Sequence, residues 1–280
     1  MKKNWLQDKT VIISGASGGL GFNIAKKLIF DYNCNVIGIG RNKEKTYSNI
    51  ETLKDKKDKF TCYFFDVSVK ENWINFYNDL TEKGVSVDAL INNAGFMLPF
   101  KTFEKCTDEE IEEIINTNFT SYVNSTKILL PLLKKSTTPA IINISSSAGL
   151  CAVVGESMYC ATKYAVRGFT ETLIEDYKKK IYVAGVYPGF IKTDILNRMS
   201  VSDKNNKAIL KMMMPIDKAT KIIVKKISKK KKRIVLGFDG KSMGFFARLF
   251  PVFTPSVITK VLKKSRLELF SDVFDYDGKQ

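Results

Sequence analysis

Ser146, Tyr159 and Lys163 have the residue types and the spacing of a proton-transfer site. Reduction of a carbonyl by hydride leaves an alkoxide, which must receive a proton from an acid within hydrogen-bond reach. A tyrosine hydroxyl is such an acid, and a nearby ammonium group lowers its pKa. Residues four apart share one face of a helix, so the helix predicted over 157–177 places Tyr159 beside Lys163. The pair alone is far more often part of an ordinary amphipathic helix, so the rest of the chain must decide.

The elements that would position these side chains begin near the N-terminus. The β-rich run Thr10–Ser14 is followed by a glycine-rich segment over 15–21 and by helical periodicity over 20–29. A strand, a glycine turn and a helix in that order suit a dinucleotide, because glycine lets the backbone approach the pyrophosphate and the helix N–H groups face it. A glycine turn that merely joins the strand to the helix is the simpler alternative.

Further motifs follow in order along the chain. They are Asp66 and Val67 after a third predicted strand, the N-N-A-G turn with Asn93, Ala94 and Gly95, Asn118 in a predicted helix, and the P-G-x-x-x-T segment with Pro188, Gly189 and Thr193. With the glycine turn and the Ser146, Tyr159 and Lys163 set, these motifs resemble the short-chain dehydrogenase/reductase family. The resemblance covers about residues 7–237.

The resemblance implies an α/β fold of Rossmann type, with a doubly wound parallel sheet. It also implies that Ser146 holds the substrate oxygen, that Tyr159 gives the proton, and that Lys163 lowers the tyrosine pKa and binds the nicotinamide ribose. The backbone of Asn118 would anchor a water on the proton route. The implied cofactor-binding residues are Ser14, Gly15, Gly19, Leu20, Gly21, Asp66, Val67, Asn93, Ala94, Gly95, Tyr159, Lys163, Pro188, Gly189 and Thr193.

The end of the second predicted strand bears on the choice of cofactor. An NAD site places a carboxylate there, whereas an NADP site needs neutral or basic groups around the 2′-phosphate. The strand ends in Gly40 and is followed by Arg41, with no acid beside them in the sequence. We therefore expect NADP(H) rather than NAD(H), with Arg41 as the main discriminator and Ser17 or Asn42 as helpers. A solvated surface arginine is the alternative.

Length and composition predict one folded enzyme. The chain has 280 residues with 44% hydrophobic content, and strand and helix signals alternate along it. We expect a catalytic domain over 1–240, with a substrate lid over 194–214, and a basic amphipathic extension of the same domain over 241–280. The five cysteines form no C-x-x-C pair, which favours free thiols in the cytoplasm. The chain has no histidine, and we expect no metal site.

Two predicted helices have apolar faces that could also join subunits. The first runs over 107–133 and opens with a capping-box pattern at Thr107 and Glu110. The second is the Tyr159 helix. Members of the family commonly form homodimers or homotetramers through these two helices, so the resemblance implies a homo-oligomer. Packing against the sheet would use many of the same residues.

Basic charge is concentrated in the C-terminal quarter. The chain carries 45 basic and 29 acidic residues, and the segment over 204–266 holds 18 basic and 2 acidic residues. Beyond a strand predicted over 234–236, phenylalanines and leucines surround Arg248, and Thr254 is expected to cap a further basic amphipathic helix. We hypothesise peripheral contact with an anionic membrane. The alternative is that the aromatics cover the active site or a subunit interface. No nucleic acid is expected.

These patterns predict an NADP(H)-dependent oxidoreductase that interconverts a carbonyl and an alcohol. The predicted lid is apolar and rich in methionine, which suits a small to lipophilic ketone, aldehyde or secondary alcohol, although the same residues could pack on the core. Two alternatives come from other classes of protein. One is a non-catalytic dinucleotide-binding sensor, and the other is a membrane-surface scaffold on the same fold.

Overall fold

A parallel β-sheet forms the centre of the chain in the computed structural model, which describes residues 4–192 and 213–274. Over these ranges the sheet has seven strands in the order β3-β2-β1-β4-β5-β6-β7. The strands are β1 (Thr10–Ser14), β2 (Asn35–Gly40), β3 (Phe60–Phe64), β4 (Ala89–Asn92), β5 (Ala140–Ile144), β6 (Tyr182–Tyr187) and β7 (Arg233–Val235). Every neighbouring pair is parallel, which confirms the predicted doubly wound α/β fold.

Helices cover both faces of this sheet. They are α1 (Gly19–Tyr32), α2 (Lys43–Glu51), α3 (Lys70–Glu82), α4 (Asp108–Ile115), α5 (Ser121–Leu133), α6 (Ser157–Asp176), α7 (Ile216–Ser228), α8 (Phe238–Leu249) and α9 (Phe253–Ser265). Side chains of a strand alternate between the two faces. On β1, Val11 and Ile13 pack with α1 and α7, whereas Ile12 packs with α3 and α5. The near-continuous apolar strands are therefore buried on both sides.

The chain reverses its direction of travel across the sheet between β1 and β4. It builds β2 and β3 on one side of β1, and then β4 to β7 on the other. A crevice opens beyond the carboxyl ends of the strands at such a switch point, and ligands of open α/β sheets bind there. The glycine turn after β1 and the N-N-A-G turn after β4 flank this crevice.

The helix predicted over 107–133 is interrupted by one wider turn. Thr107 Oγ1 accepts a hydrogen bond from the Glu110 N–H, and the Glu110 carboxylate accepts one from the Thr107 N–H, so the capping box is confirmed. Between α4 and α5, Asn116–Thr120 form a π-helical turn. Turns of this kind are frequent at functional sites. The apolar residues of this helix that are fully buried in the core are Ile114, Tyr122, Leu129 and Leu133.

The last strand and the last helix lie close to their predicted positions, but the start of the strand and the cap of the helix differ from the prediction. α7 ends at Ser228, and the last strand begins one residue earlier than predicted, at Arg233. The expectation that Thr254 caps the last helix is wrong. α9 begins at Phe253 after Val252, and Thr254 Oγ1 donates back to the Phe250 carbonyl at 2.8 Å. α8 starts at Phe238, so the boundary predicted after residue 240 falls inside this helix.

Candidate active site

A cavity of about 730 Å³ lies at the switch point of the sheet. It brings together most of the residues predicted from the sequence. The predicted residues that line it are Gly15, Ser17, Gly19, Leu20, Arg41, Asn42, Asp66, Val67, Asn93, Ala94, Gly95, Ser146, Tyr159, Lys163, Pro188 and Gly189. Ser14, Gly21 and Asn118 lie behind this lining. Thr193 and positions 194–212 of the predicted lid lie outside the described residues.

The glycine turn has the backbone that a phosphate cradle requires. Gly15 and Gly19 have φ values of +67° and +53°, in the left-handed region that favours glycine. A Cβ on Gly21 would lie 2.3 Å from the Gly15 carbonyl oxygen, so α1 can begin this close to the turn only with glycine there. Ser14 supports the turn from behind, because its Oγ accepts hydrogen bonds from the Asn93 and Ala94 N–H groups at 3.0 and 3.1 Å.

A dinucleotide fits the polar groups beside this turn. The Ser17 hydroxyl is buried and has no hydrogen-bond partner among the residues that the structure describes. A buried polar atom of this kind calls for a ligand or a water. A Cβ on Gly40 would lie 1.8 Å from the same hydroxyl oxygen. The end of β2 therefore has no space for a carboxylate side chain while Ser17 keeps this position.

Two cations lie beside Gly18 and Asp66 in the cavity. Arg41 Nη1 lies 3.3 Å from Asp66 Oδ2, so an acid that is 25 positions away in sequence is close to Arg41 in space. Lys45 also lines the cavity, and a Cβ on Gly18 would lie 2.5 Å from its Cε atom. The sequence analysis missed Lys45. Its position one helical turn after Arg41 was the available signal. Asn42 Oδ1 caps α2 by accepting from the Lys45 N–H at 2.8 Å.

Hydrogen bonds among buried side chains fix the centre of the sheet beneath the site. Asn92 Nδ2 donates to Asn143 Oδ1 at 2.9 Å, and Asn143 Nδ2 donates to Thr170 Oγ1 at 2.9 Å. Ser125 Oγ donates to Asn92 Oδ1 at 2.7 Å. Because buried polar groups are costly unless paired, this network specifies how α5 and α6 sit on β4 and β5.

Ser146, Tyr159 and Lys163 converge on one wall of the cavity. Ser146 follows β5, and its hydroxyl is a hydrogen-bond partner of the Tyr159 hydroxyl. Lys163 Nζ lies 5.6 Å from the centre of the Tyr159 ring and donates to the Ile144 carbonyl at 3.3 Å. Tyr122 lies on the other side of the ammonium, with its ring centre 5.6 Å away and its hydroxyl donating to the same carbonyl.

Burial sets the protonation of the two titrating groups in this wall. It raises the pKa of the Tyr159 hydroxyl well above the ordinary tyrosine value, and the hydrogen bond from Ser146 offsets this only in part. Burial also lowers the pKa of Lys163 to about 8. We expected Lys163 to lower the pKa of Tyr159, but the net shift of that pKa is upward. A protonated tyrosine at neutral pH is the form that can act as an acid.

Asn118 ties the π-helical turn to the loop after β4. Its Oδ1 accepts from the Phe96 N–H at 2.9 Å, and its Nδ2 donates to the Phe96 carbonyl at 2.9 Å. A Cβ on Gly95 would lie 3.0 Å from Asn118 Oδ1 and 3.3 Å from Lys163 Nζ. Asn118 is thus a neighbour of the lysine, and its side chain is fully used in holding the loop.

The end of the cavity beyond Tyr159 is apolar. It is lined by Phe96, Met97, Phe100, Val153, Met213 and Met243. The C-terminal segment covers this end, since Phe270 is buried with its ring centre 4.6 Å from that of Phe100. Phe270 was not predicted in this role. The phenylalanines around Arg248, for which the sequence left open a cover over the active site, are exposed at positions 245, 246, 250 and 253.

The loop after β6 closes the remaining side. Pro188 and Gly189 line the cavity, and the Pro188 carbonyl accepts from the Ser147 N–H at 2.7 Å. Asp239 of α8 holds this loop, because its Oδ2 accepts from the Phe190 N–H at 2.7 Å. Asp239 was not predicted. Its only signal was an acidic residue in the first turn of a helix.

Comparison with known proteins agrees with this geometry. The family model for the short chain dehydrogenases matches residues 9–204. The match spans the glycine turn, the N-N-A-G turn and the Ser146, Tyr159 and Lys163 wall. The chain therefore belongs to the short-chain dehydrogenase family, and it is an oxidoreductase of that family.

Individual relatives extend the similarity beyond the family match. The chain is 30% identical over 258 residues to a Mycobacterium tuberculosis protein named "Putative oxidoreductase SadH", covering 87% of this chain and 91% of that one. It is 32% identical over 209 residues to the 3-oxoacyl-[acyl-carrier-protein] reductase FabG of Chlamydia trachomatis, covering 71% and 81%. A crystal structure of a short-chain dehydrogenase from Streptomyces avermitilis has a TM-score of 0.74 at 24% identity, covering 95% and 99%, and so shares the fold.

Proposed function

We propose that this protein interconverts a carbonyl and an alcohol with NADP(H), and that reduction is its working direction. The observation that carries the proposal is the convergence of Ser146, Tyr159 and Lys163 on the cavity that also holds the glycine turn. When bound, the cofactor supplies the hydride. The protein orients the carbonyl, excludes water from it and supplies the proton. FabG of Chlamydia trachomatis is named a reductase, which supports the direction.

The proton comes from Tyr159 in this proposal. Its hydroxyl stays protonated at neutral pH, because burial raises its pKa. Ser146 holds the substrate oxygen so that the developing alkoxide takes the proton as charge builds on it. The Lys163 ammonium, 5.6 Å from the tyrosine ring centre, stabilises the phenolate that remains, and it would also hold the nicotinamide ribose of a bound cofactor. Asn118 keeps the loop beside Lys163 in place and supports the route by which Tyr159 regains its proton.

Arg41 and Lys45 select the phosphorylated cofactor in this proposal. Arg41 neutralises Asp66 and offers its remaining guanidinium donors to the 2′-phosphate. Lys45 adds a second cation over Gly18, and the unpartnered Ser17 hydroxyl adds a donor. A charge-assisted hydrogen bond to phosphate contributes about 1.5 to 3 kcal/mol, which is about tenfold to a hundredfold in affinity.

The test is the consumption of NADPH, followed by its absorbance, with ketones graded from polar to long-chain. Tyr159→Phe should remove turnover, and unchanged turnover would refute the mechanism. Arg41→Ala and Lys45→Ala should each lower the preference for NADPH over NADH by about tenfold or more. Lys127→Ala removes an exposed cation from α5 and is the control. If both cation variants keep the wild-type preference, the cofactor assignment is wrong.

A non-catalytic sensor or scaffold on this fold is not favoured. A sensor would need the dinucleotide cradle but would have no use for an acid, an ammonium and a hydroxyl converging on the same wall. Tight NADPH binding without turnover on any carbonyl would reverse this judgement. The cytoplasmic location and the boundary between a domain over 1–240 and an extension over 241–280 remain predictions.

We also propose that α8 and α9 dock on an anionic membrane. Five large apolar residues are exposed on adjacent turns of these helices: Phe245, Phe246, Leu249, Phe250 and Phe253. Exposed basic residues lie beside them at Arg248, Lys260, Lys263, Lys264 and Arg266. An apolar surface bordered by cations matches the interface of an anionic bilayer. No helix in the described ranges is long and apolar enough to span a membrane.

Flotation with vesicles tests this docking. Wild type should float with vesicles of phosphatidylglycerol and phosphatidylcholine, and added salt should weaken the binding. The combined change of Phe245, Phe246 and Phe253 to Ser should abolish flotation, whereas Phe30→Ser removes an exposed phenylalanine on α1 and is the control. Failure of wild type to float, or flotation of the triple variant, would refute the proposal.

A homodimer or homotetramer through the α4–α5 and α6 helices is the remaining proposal. Tyr164 is exposed on α6, and Phe119 and Phe169 are half-buried and pack edge-to-face, so this surface keeps apolar area outside the core. Light scattering on the purified chain should give two or four times the 31.7 kDa of one chain. A monomer across the micromolar range would refute it.

A further inference from the structure

Glu156 is a buried acid in the active-site cavity to which the mechanism gives no task. It immediately precedes α6, three residues before Tyr159, and it lines the same cavity. Its side chain is buried, and Oε1 has no hydrogen-bond partner among the residues that the structure describes. A buried polar atom without a partner is costly, and one that faces a ligand cavity has an explanation in the ligand.

The surroundings of Glu156 favour its neutral form. The titratable side chains closest to it are Cys106, Tyr159 and Cys160, none of which is a cation. Lys101 lies on the neighbouring loop, but its ammonium is paired with Glu110 at 2.7 Å. Burial raises the pKa of Glu156 to about 9. A protonated carboxyl can both donate and accept a hydrogen bond, whereas it cannot neutralise a bound ion.

The position of Glu156 relative to Tyr159 indicates which part of a substrate it would meet. Glu156 is the N-cap residue of α6 and Tyr159 lies in the first turn of that helix, so both side chains enter the cavity from the same helix end. The Tyr159 hydroxyl marks the oxygen of the reacting carbonyl. A group that contacts Glu156 is therefore attached close to that carbonyl, and the lining beyond it is apolar, with Met97, Phe100 and Val153.

Resting on the oxidoreductase function proposed above, we propose that Glu156 binds a neutral oxygen of the substrate, a hydroxyl or a second carbonyl, on the carbon next to the reacting carbonyl or on the following one. The substrate class is then an oxygenated ketone with an apolar remainder. Plain ketones leave the carboxyl unpartnered and are disfavoured by that loss.

The experiment compares substrates of one chain length: a plain ketone, a hydroxyketone, a 3-oxo ester and an aminoketone. The readout is the ratio of kcat/KM for each oxygenated ketone to that of the plain ketone, measured with NADPH. One hydrogen bond corresponds to about tenfold. Wild type should prefer the hydroxyketone, the 3-oxo ester or both by about that factor. A preference for the hydroxyketone would indicate that Glu156 binds a hydroxyl, and a preference for the 3-oxo ester would indicate that it binds a second carbonyl.

Three variants locate that preference. Glu156→Met keeps an unbranched side chain without the hydrogen bond and should bring the ratio close to one. Glu156→Gln keeps a donor and an acceptor and should retain most of it. Glu112→Gln changes an exposed carboxylate on α4, leaves the Lys101–Glu110 pair intact and should leave the ratio at the wild-type value. Glu156→Leu serves as a second apolar variant if Glu156→Met does not fold.

Several results would overturn the inference. One is an unchanged ratio in the apolar variants, and another is a wild-type preference for the aminoketone, which would indicate an ionised carboxylate. Absence of turnover on every compound would count against the oxidoreductase proposal instead. Equilibrium binding of the same compounds to wild type and Glu156→Met would then decide. Tighter wild-type binding of oxygenated ketones that is lost in the variant supports the inference, and equal binding refutes it.

Discussion

Glu156→Gln should stabilise the protein by an amount that grows with pH. The side chain is 3% exposed, and burial raises its pKa from 4.5 to about 9. Between these values the native state holds a proton that the unfolded chain has released. The contribution to stability is therefore fully present below the unfolded pKa and is lost as pH rises towards the native pKa. Glutamine does not titrate, so the variant lacks this loss.

The magnitude follows from the width of that window. Each pH unit inside it lowers wild-type stability by about 1.4 kcal/mol, so the difference from Glu156→Gln should grow by about 3 kcal/mol between about pH 5 and about pH 7.5. For a chain of this size 1 kcal/mol corresponds to about 2 to 4 °C in Tm. The gap between the two Tm values should thus widen by about 6 to 12 °C over the range.

Thermal unfolding in a buffer series from about pH 5 to about pH 8 measures this gap. Any packing difference caused by the amide is the same at every pH, so the slope of the difference is the readout. Glu112→Gln replaces an exposed carboxylate on α4 and is the matched control, with a Tm curve parallel to wild type. Parallel curves for wild type and Glu156→Gln would refute a neutral buried carboxyl at this position.

Four further substitutions test other parts of the fold and the site. A Cβ on Gly149 would lie 2.5 Å from the Lys163 carbonyl oxygen, so Gly149→Ala should destabilise the protein by about 1 to 3 kcal/mol. A Cβ on Gly168 would meet open space, so Gly168→Ala should stabilise it by about 0.5 to 1 kcal/mol. Denaturant unfolding measures both changes. Lys163→Met should abolish turnover. Because burial lowers the pKa of Lys163 from 10.5 to about 8, this variant should be more stable than wild type by about 3 kcal/mol at neutral pH, and the difference should disappear towards about pH 10. Phe270→Ala should cost about 3 to 5 kcal/mol, because it removes a buried ring against Phe100, and an unchanged Tm would show that the C-terminal cover is not packed.

The residues that the sequence located correctly are those whose local geometry demands one residue type. Gly15 and Gly19 need positive φ, and Gly21 needs a close approach to Gly15, so their positions could be identified without a structure. Tyr159 and Lys163 owe their proximity to helix periodicity alone. Such features depend on a few neighbouring residues, and the linear pattern contains all the necessary information.

Residues that meet only through the sheet were harder to find. Arg41 and Asp66 are 25 positions apart, yet they form an ion pair because β2 and β3 pair in parallel with Gly40 opposite Phe64. The residues next to Arg41 in sequence were therefore a poor guide to the charges around it. Glu156 was missed for another reason. A glutamate before a helix is ordinarily exposed, and only the packed structure shows that this one is buried in the cavity.

Burial also reversed an electrostatic expectation. The sequence indicated a nearby ammonium and hence a lowered pKa for Tyr159, but the cost of placing a charge in a buried wall is larger and raises that pKa. The same cost lowers the pKa of Lys163. Both changes weaken the ionised forms, which suits an acid that must stay protonated until an alkoxide forms beside it.

The C-terminal segment contributes residues both to the cavity and to the exposed apolar surface. Met243 of α8 lines the cavity, whereas Phe245 and Phe246 on the next turn are exposed. Further along, Phe270 is buried against the substrate end of the site. One segment thus forms a wall of the cavity and, by our proposal, the membrane-facing surface. With α8 serving both as a cavity wall and as a membrane-facing surface, a lipophilic ketone would pass from the bilayer to Tyr159 along this helix. Vesicle binding should then raise the turnover of long-chain substrates more than that of short-chain ones.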